Sequence, residues 1–319
     1  MDLCLKITNL APMGPLLSIC IPAYERPALL KRLLDSIAKQ VFKDFEVIIT
    51  DDSSSRDNEE LLFNTPYKFS IHYQKNPRPL GTPANWLEGI QHASGQWIKI
   101  MHDDDWFTNP YALENYAAQL DEGADVLFSG YYAHDERSGQ LKNKTISISR
   151  FQSIKKDPFR LFANNLIGPP SVVLFRRSMQ ELYDPRLKWL VDLEAYTRML
   201  RRYSCRYIPH PLITMSYNDS QVTNFCFRNP AVEIPESLYY YKKHGSACIR
   251  SIHSYDGWWR LIRNLEIREE SDLRALADGY PIPAFLLSIV RFQRKFPTSL
   301  LRKGIFSKLF MFLSYEFNR

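Results

Sequence analysis

The stretch LLSICIPAYERPALLKRLLDSIAKQVFKDFEVIITDDSS, residues 16–54, decides the fold of this chain. It contains two apolar, β-rich runs, at residues 16–21 and 45–50. Between them, apolar residues recur at helical spacing, and Pro27 stands in the first turn, where proline is favoured. A strand, a helix and a second strand in this order predict two parallel strands joined by a crossover helix.

The same alternation of patterns continues through the first half of the chain. It predicts an α/β fold with a mostly parallel, Rossmann-like sheet that is flanked by helices. Because ligands of such sheets bind outside the carboxyl ends of the strands, functional residues are expected directly after each strand. The further strand patterns lie at residues 69–74, 97–101 and 126–132, and the further helical patterns at 56–62, 83–93 and 109–120.

The second half mixes both patterns and then becomes helical. The length of 319 residues allows one large domain with extensions, or two domains. We predict a catalytic domain at residues 1–225, with a donor-binding half at about 16–130 and an acceptor half at about 131–225. Residues 226–319 are predicted to form a helical C-terminal extension that is amphipathic and basic. The patterns behind this division are a strand at 171–175, a helix at 192–202, a strand or hairpin at 205–217 and helices from 232.

Composition excludes several classes of protein. The chain is 45% hydrophobic and 24% charged, which is typical of globular proteins rather than fibrous or disordered ones. Five scattered cysteines, Cys4 among them, lack CxxC spacing, which argues against disulfides or a zinc site and favours a reducing, cytoplasmic compartment. The sequence has no signal-peptide pattern and no run of about eighteen apolar residues, so we expect no transmembrane span.

The sharpest chemical feature is the run His102-Asp103-Asp104-Asp105 after an apolar strand. Three consecutive carboxylates repel one another and favour a cation at this position. Carboxylate oxygens together with diphosphate oxygens are the usual ligands of Mg²⁺, and Mn²⁺ has similar preferences. The alternative is an acidic turn before the helix that follows Asn109, because helix N-termini also favour acids.

Two other polar turns follow predicted strands. Asp51 and Asp52 precede a serine-rich turn, and a carboxylate there could accept hydrogen bonds from a base or a ribose; an ordinary Asp/Ser turn is the alternative. After the first strand, Tyr24 could stack on a nucleobase and Arg26 could meet a phosphate. Neither GxGxxG nor GxxxxGK[ST] occurs, which argues against a dinucleotide dehydrogenase and a P-loop enzyme.

Together with NPRPLGTPANWLEGIQHASGQWIKIMHDDDWFTNP, residues 76–110, these motifs resemble the family-two glycosyltransferases, which have the GT-A fold. Within this family, the chain resembles glycosyltransferases of the bacterial polysaccharide and O-antigen type. The resemblance implies a nucleotide-sugar donor, with uridine as the base, and Mn²⁺ or Mg²⁺ as cofactor. It implies Asp104 as the direct metal ligand, with His102, Asp103 and Asp105 as further candidates; the family often has Asp where this chain has His102. The donor-binding residues that it implies are Pro22, Tyr24, Glu25, Arg26, Asp51, Asp52, Gly81, Asn85 and Asp103.

The resemblance also implies a general base at the start of a later helix. Asp192 falls on the usual base position, and Glu194 is the alternative. Many relatives have Glu where this chain has Val191. A helix N-terminus is expected to lower the pKa of Asp192, and a plain N-cap is the alternative role. The segment 168–171, GPPS, resembles the acceptor-side loop of the family.

These features predict an inverting, hexosyltransferase-type enzyme. It would move a sugar to a hydroxyl of a glycan or lipid-linked glycan in cell-surface polysaccharide synthesis. The alternative is a non-catalytic sugar-nucleotide or glycan-binding module of the same fold. A nucleotidyltransferase is disfavoured because the chain has no G-x-G-T-R loop, and nucleic acid is not an expected partner because the basic residues cluster among Leu and Phe.

The C-terminal part combines positive charge with amphipathic helices. From Lys242 onward, 14 Lys and Arg stand against 7 Asp and Glu. Residues 284–313 contain two helical patterns that mix Leu and Phe with basic residues, as in helices that lie on an anionic bilayer. A cytoplasmic protein that is peripheral on the inner face of the plasma membrane would fit. The alternative is a pair of helices that pack on protein, as core or dimer interface.

Overall fold

A computed structural model describes residues 14–120, 123–179, 182–217 and 226–318. Its strands form one sheet in the spatial order β3-β2-β1-β4-β8-β6-β9-β5, with β7 paired to β6. The strands are β1 Leu17–Ala23, β2 Phe45–Asp51, β3 Ile71–Lys75, β4 Trp97–Ile100, β5 Trp106–Phe107, β6 Val126–Asp135, β7 Leu141–Asn143, β8 Val173–Arg176 and β9 Cys205–Tyr217.

Helices pack on the sheet and continue beyond it into the C-terminal part. The predicted helix at 109–120 is shorter in the structure, because Asn109 Oδ1 accepts from the Tyr111 N–H and closes a turn before the helix begins. The helices are α1 Pro27–Ala38, α2 Asp57–Asn64, α3 Ala84–Gln91, α4 Ala112–Ala117, α5 Ile148–Lys156, α6 Val191–Arg202, α7 Pro230–His244, α8 Ile252–Asn264, α9 Glu270–Ala275, α10 Ala284–Arg294, α11 Thr298–Leu301 and α12 Gly304–Asn318.

The α/β prediction of a mostly parallel sheet is confirmed, and antiparallel pairs are added in the second half. Strands β3, β2, β1 and β4 are parallel, with Ala23 opposite Asp51 and Cys20 opposite Ile100. Strand β8 runs antiparallel to both of its neighbours, β4 and β6, whereas β6 and β9 are parallel. The parallel half brings the carboxyl ends of β1, β2 and β4 to one edge.

The C-terminal helices pack directly on the sheet-containing part. Glu236 of α7 is buried and accepts hydrogen bonds from the backbone N–H groups of Lys188, Trp189 and Leu190 at 2.7, 3.0 and 2.8 Å. These three residues immediately precede α6, so α7 holds the N-terminal end of that helix. The predicted boundary at residue 225 lies outside the described residues, as do Cys4 and the rest of the N-terminal thirteen.

The two predicted amphipathic helices of the tail differ in the structure. Phe285 and Ile289 of α10 are buried, so its apolar face packs on protein and the bilayer interpretation is wrong for this helix. Helix α12 instead keeps a stripe of large apolar side chains exposed. Among the described residues, no helix combines the length and the apolar composition that a membrane span requires. The exposed apolar residues of α12 are Ile305, Phe306, Leu309, Phe312, Leu313 and Phe317.

Candidate active site

One peptide group at the end of β1 connects two of the predicted functional segments. The carbonyl oxygen of Ala23 accepts from the Asp52 N–H at 3.0 Å. The N–H of the same peptide, on Tyr24, donates to Asp103 Oδ2 at 3.1 Å. Asp52 and Asp103 therefore flank the tip of β1, and the carboxylates that follow β2 and β4 share one edge of the sheet.

Asp52 organises the loop that follows β3. Its carboxylate is buried and accepts from Asn76 Nδ2 at 2.7 Å, from the Leu80 N–H at 3.0 Å and from the Gly81 N–H at 2.8 Å. Asn85 joins the same network, because its Oδ1 accepts from Asn76 Nδ2 at 3.0 Å. Gly81 has a φ of 72°, a conformation that favours glycine. The structure thus brings Asp52, Gly81 and Asn85 together.

The other side chains predicted at this edge have different surroundings. Asp51 is fully buried, and its Oδ2 accepts from the Tyr73 hydroxyl at 2.8 Å, so its carboxylate stabilises the turn from inside. Glu25 is exposed, and hydrogen bonds from the Ser54 side chain and backbone lower its pKa. Tyr24 is 55% exposed. Pro22 lies within β1, partly buried.

In three residues of the His102–Asp105 run the potential ligand atoms lie close together, whereas the fourth residue, Asp103, has other partners. One nitrogen of His102 and one carboxylate oxygen each of Asp104 and Asp105 lie within 4.8 Å of one another. Asp103 instead forms an ion pair with Arg26, whose other terminal nitrogen donates to Asp104 Oδ2 at 3.0 Å. The cluster therefore has the composition of a cation site, with a guanidinium beside it.

Two polar atoms of this cluster indicate a ligand. Among the described residues, His102 Nε2 and Asp105 Oδ2 are buried without a hydrogen-bond partner. Burial lowers the pKa of His102 to about 4, so the imidazole is neutral and can coordinate a metal. Burial and the neighbouring Asp104 raise the pKa of Asp105. A nitrogen and two carboxylates fit Mn²⁺ or Mg²⁺.

The second predicted centre lies at the start of α6. Asp192 Oδ1 accepts from the Leu193 N–H at 2.8 Å, and Oδ2 accepts from Asn165 Nδ2 at 2.8 Å. Burial raises the pKa of Asp192 to about 6, although these hydrogen bonds act in the opposite direction. The expected lowering by the helix N-terminus is therefore wrong, because desolvation of the carboxylate outweighs the helix dipole.

Glu194, the alternative base, is fully buried among cations on the side of α6 that faces α7. Its carboxylate pairs with Arg198 at 2.9 Å and with Lys243 at 2.8 Å. Burial acts to raise its pKa, but hydrogen bonds from His244, Arg198 and Lys243 outweigh it and lower the pKa well below the usual range. Glu194 thus attaches α6 to α7.

An aromatic wall joins the acidic cluster to Asp192. The ring centres of Trp86 and His102 lie 4.9 Å apart. Trp86 and Tyr183 form a T-shaped pair with their ring centres 5.2 Å apart. Burial raises the pKa of Tyr183, and the nearby charge of Asp192 adds to this effect. The sequence does not predict these ring contacts or the contact of Asn165 with Asp192. The GPPS segment is the one sequence pattern near this site. Its Gly168 has a φ of 115°, and a Cβ at this position would lie 2.4 Å from the Tyr131 ring, so the loop requires glycine there.

The chain is similar to a known protein family. Residues 18–183, about half of the chain, match the family described as glycosyl transferase family 2. The chain belongs to glycosyl transferase family 2. The matched residues include the turns that follow β1 and β2 and the acidic cluster, and the match ends at Tyr183, before Asp192.

Several relatives in this family are glycosyltransferases by name. An uncharacterised glycosyltransferase of Methanocaldococcus jannaschii is 30% identical over 192 residues, which cover 58% of this chain and 65% of the relative. The GalNAc(5)-diNAcBac-PP-undecaprenol beta-1,3-glucosyltransferase of Campylobacter jejuni is 30% identical over 137 residues, 41% of this chain and 42% of that protein.

Solved structures share the fold at low identity. TarS 1–349 of S. aureus, in complex with UDP-GlcNAc, aligns with a TM-score of 0.56 and 15% identity over 88% of this chain and 91% of that one. The mannosyltransferase PcManGT of Pyrobaculum calidifontis, in complex with GDP-Man and Mn²⁺, aligns with a TM-score of 0.54 and 14% identity over 97% of this chain and 89% of that one. The GT-A prediction is confirmed.

Proposed function

We propose that this glycosyltransferase is an inverting, hexosyltransferase-type enzyme that uses a UDP-sugar. The acceptor would be a hydroxyl of a glycan or lipid-linked glycan in cell-surface polysaccharide synthesis. The observation that supports the proposal is the β1 peptide group that bonds to both Asp52 and Asp103, because Asp52, which we assign to the nucleoside, and the acidic cluster then lie at one strand tip. Support for the ligands comes from relatives: TarS binds UDP-GlcNAc, and the Campylobacter enzyme is named for an undecaprenol-linked glycan.

On the donor side, we assign the base and ribose to the turn between Tyr24 and Asp52. The exposed Tyr24 ring offers a stacking surface, and Asp52 fixes the loop that leads to Gly81. We propose that Arg26 pairs with a phosphate. Its guanidinium contacts carboxylates of the proposed cation site, so a phosphate bound to the cation would lie near it. Pro22, Glu25, Asp51, Asn85 and Asp103 remain in the proposed donor site as residues that shape it.

Asp104, with His102 and Asp105, would hold Mn²⁺ or Mg²⁺, which supplies Lewis-acid stabilisation of the diphosphate leaving group when bound. The chain's own contribution is to collect these ligand atoms at the strand tip. Asp103 lies beside the set rather than in it, because its carboxylate is used by Tyr24 and Arg26.

On the acceptor side, we propose Asp192 rather than Glu194 as the base. The pKa of about 6 leaves Asp192 ionised at neutral pH, yet more basic than an ordinary carboxylate. In the reaction, the acceptor oxygen forms a bond to the anomeric carbon, its proton passes to Asp192, and the bond from that carbon to the diphosphate breaks. Attack from the face opposite the leaving group inverts the anomeric centre. A non-catalytic binding module would need the donor site but not a carboxylate with a raised pKa.

The direct test is a panel of nucleotide-sugars with Mn²⁺ or Mg²⁺, read by release of nucleoside diphosphate and by thermal shift. We expect a UDP-sugar to give the largest thermal shift and diphosphate release that stops when EDTA removes the metal. A donor that shifts the melting temperature without any turnover, with lipid-linked and soluble glycan acceptors present, would favour the binding module. No response to any donor would contradict both functions.

We also propose that the catalytic part, residues 1–225, and the extension, residues 226–319, function as one cytoplasmic unit that attaches to an anionic membrane. The contact surface is the exposed stripe of α12 rather than α10. Ile305 is 84% exposed at one end of the stripe, and Lys303 and Lys308 lie beside it in sequence. Apolar side chains next to cations match the interface of an anionic bilayer.

Replacing Phe306 and Leu309 together by serine is expected to abolish sedimentation with vesicles that contain phosphatidylglycerol, because both side chains belong to the exposed stripe. The control is Phe63→Ser, which removes an 88% exposed aromatic residue from α2, far from the stripe in sequence. Equal binding by the wild type and the double variant would contradict the membrane assignment. A concentration-dependent dimer that the double variant loses would identify a second copy as the occupant instead.

A further inference from the structure

The loop before Gly168 places an asparagine against the carboxylate of Asp192. Asn165 Nδ2 donates to Asp192 Oδ2 at 2.8 Å and to the carbonyl oxygen of Gly168 at 3.1 Å. Asn165 Oδ1 accepts from the N–H groups of Ile167 and Gly168, both at 3.1 Å. The two donors and the two acceptor sites of the side-chain amide are therefore all used.

This set of partners fixes the orientation of the amide. A rotation by 180° would place Oδ1 against two acceptor oxygens and Nδ2 against two N–H groups, so only the observed orientation satisfies all partners. The loop itself, through Ile167 and Gly168, thus directs an N–H toward Asp192. Asp192 Oδ1 is held separately by the Leu193 N–H at 2.8 Å, so each carboxylate oxygen has its own donor.

We propose that Asn165 is a positioning residue for the base: its amide fixes Asp192 Oδ2 and stabilises the ionised carboxylate. The inference rests on the proposed function, which assigns the base role to Asp192. Oxygen Oδ2 keeps further lone pairs, so one remains for the proton of an acceptor hydroxyl. The arrangement parallels other enzymes in which a base is oriented by a third group.

Among the described residues, the other titratable groups that interact with Asp192 are phenols and not cations. They are Tyr131 of β6, Tyr183 from the segment before α6, and Tyr196 of α6. Burial raises the pKa of all three, so each phenol stays neutral at physiological pH. Burial of Asp192 disfavours its ionised form. The N–H groups at the start of α6 and the Asn165 amide favour that form.

The test is a titration of Asp192 by ¹³C NMR in full-length protein labelled at the aspartate carboxyl carbon. The resonance is assigned by its loss in Asp192→Asn. We expect a wild-type midpoint near pH 6 and, in Asn165→Ala, a midpoint about one unit higher, because a hydrogen bond to a charged group has about that effect. The control is Asn164→Ala, which removes the exposed neighbouring asparagine and should leave the midpoint unchanged.

A second variant covers the case in which Asn165→Ala does not fold. Asn165→Asp keeps the size and the oxygen that accepts from Ile167 and Gly168, and it replaces the Nδ2 donor to Asp192 and to the Gly168 carbonyl oxygen by an oxygen. Two carboxyl groups at this distance cannot both ionise easily, so the pair is expected to retain a shared proton well above pH 6. An unchanged Asp192 midpoint in either folded variant would overturn the proposal. Because the titration needs neither donor nor acceptor, a failure to transfer sugar would be a separate result that concerns the proposed function alone.

Discussion

Asp192→Asn is expected to lower kcat for sugar transfer by about 10²–10⁴-fold, the usual contribution of a general base. Asparagine keeps the size of the side chain, and its Oδ1 can still accept from the Leu193 N–H, so the start of α6 should remain folded. The proposed donor site lies on the other side of the Trp86–Tyr183 contact from Asp192, so the donor KM should stay close to the wild-type value. Steady-state kinetics with varied donor and with varied acceptor separate the two effects.

The matched control is Asp256→Asn, which makes the same substitution on α8, where the carboxylate pairs with Arg260 at 2.7 Å. This variant should keep kcat. A wild-type kcat in Asp192→Asn would remove the base role from Asp192. Glu194 would not then be an automatic replacement, because its carboxylate is already shared by Arg198 and Lys243.

Asp104→Asn is expected to reduce metal-dependent turnover by about a thousand-fold, because the Lewis-acid contribution of a metal ion is several kcal/mol and each 1.36 kcal/mol corresponds to a factor of ten. The substitution removes the negative charge of one of the three candidate ligands and leaves His102 and Asp105 in place. Its first readout is the dependence of rate on Mn²⁺ concentration, which should no longer saturate. The second is Mn²⁺ binding itself, followed by electron paramagnetic resonance.

Asp103→Asn is an informative comparison one residue away. Its carboxylate contacts Tyr24 and Arg26 rather than the converging set, so Mn²⁺ affinity should change much less than in Asp104→Asn. If Asp103→Asn and Asp104→Asn lost Mn²⁺ equally, the division of roles within the run would be wrong. Full turnover in Asp104→Asn would remove the metal role from Asp104.

The sequence was sufficient for the features that depend on local pattern and on strand direction. The apolar runs and helical spacing at residues 16–50 correspond to β1, α1 and β2 in the structure. Once those strands are parallel, their carboxyl ends must share an edge, and this geometry alone brings Asp52 near Asp103. The direction of β8 could not be predicted, because a four-residue apolar strand has no pattern that separates parallel from antiparallel pairing.

Features that depend on distant packing could not be predicted. The pKa of Asp192 is set mainly by burial, and the side chains around it come from separate parts of the chain. Likewise, α10 and α12 both have amphipathic patterns, but which apolar face is covered depends on the rest of the fold: Phe285 is buried, whereas Phe306 is exposed. Asn165 gave no signal, because an asparagine in a loop is compatible with many roles.

The contact between Glu236 and the residues before α6 limits how such enzymes can be recombined. Helix α6, which carries Asp192, contacts α7 at two places. Glu236 accepts hydrogen bonds at the N-terminal end of α6, and Lys243 pairs with Glu194 on its side. A chimaera that exchanged the tail of this chain for that of another enzyme would leave three backbone N–H groups without their acceptor and would leave Glu194 with Arg198 but without Lys243. Functional exchange would require residues 188–202 and 230–244 to be inherited together.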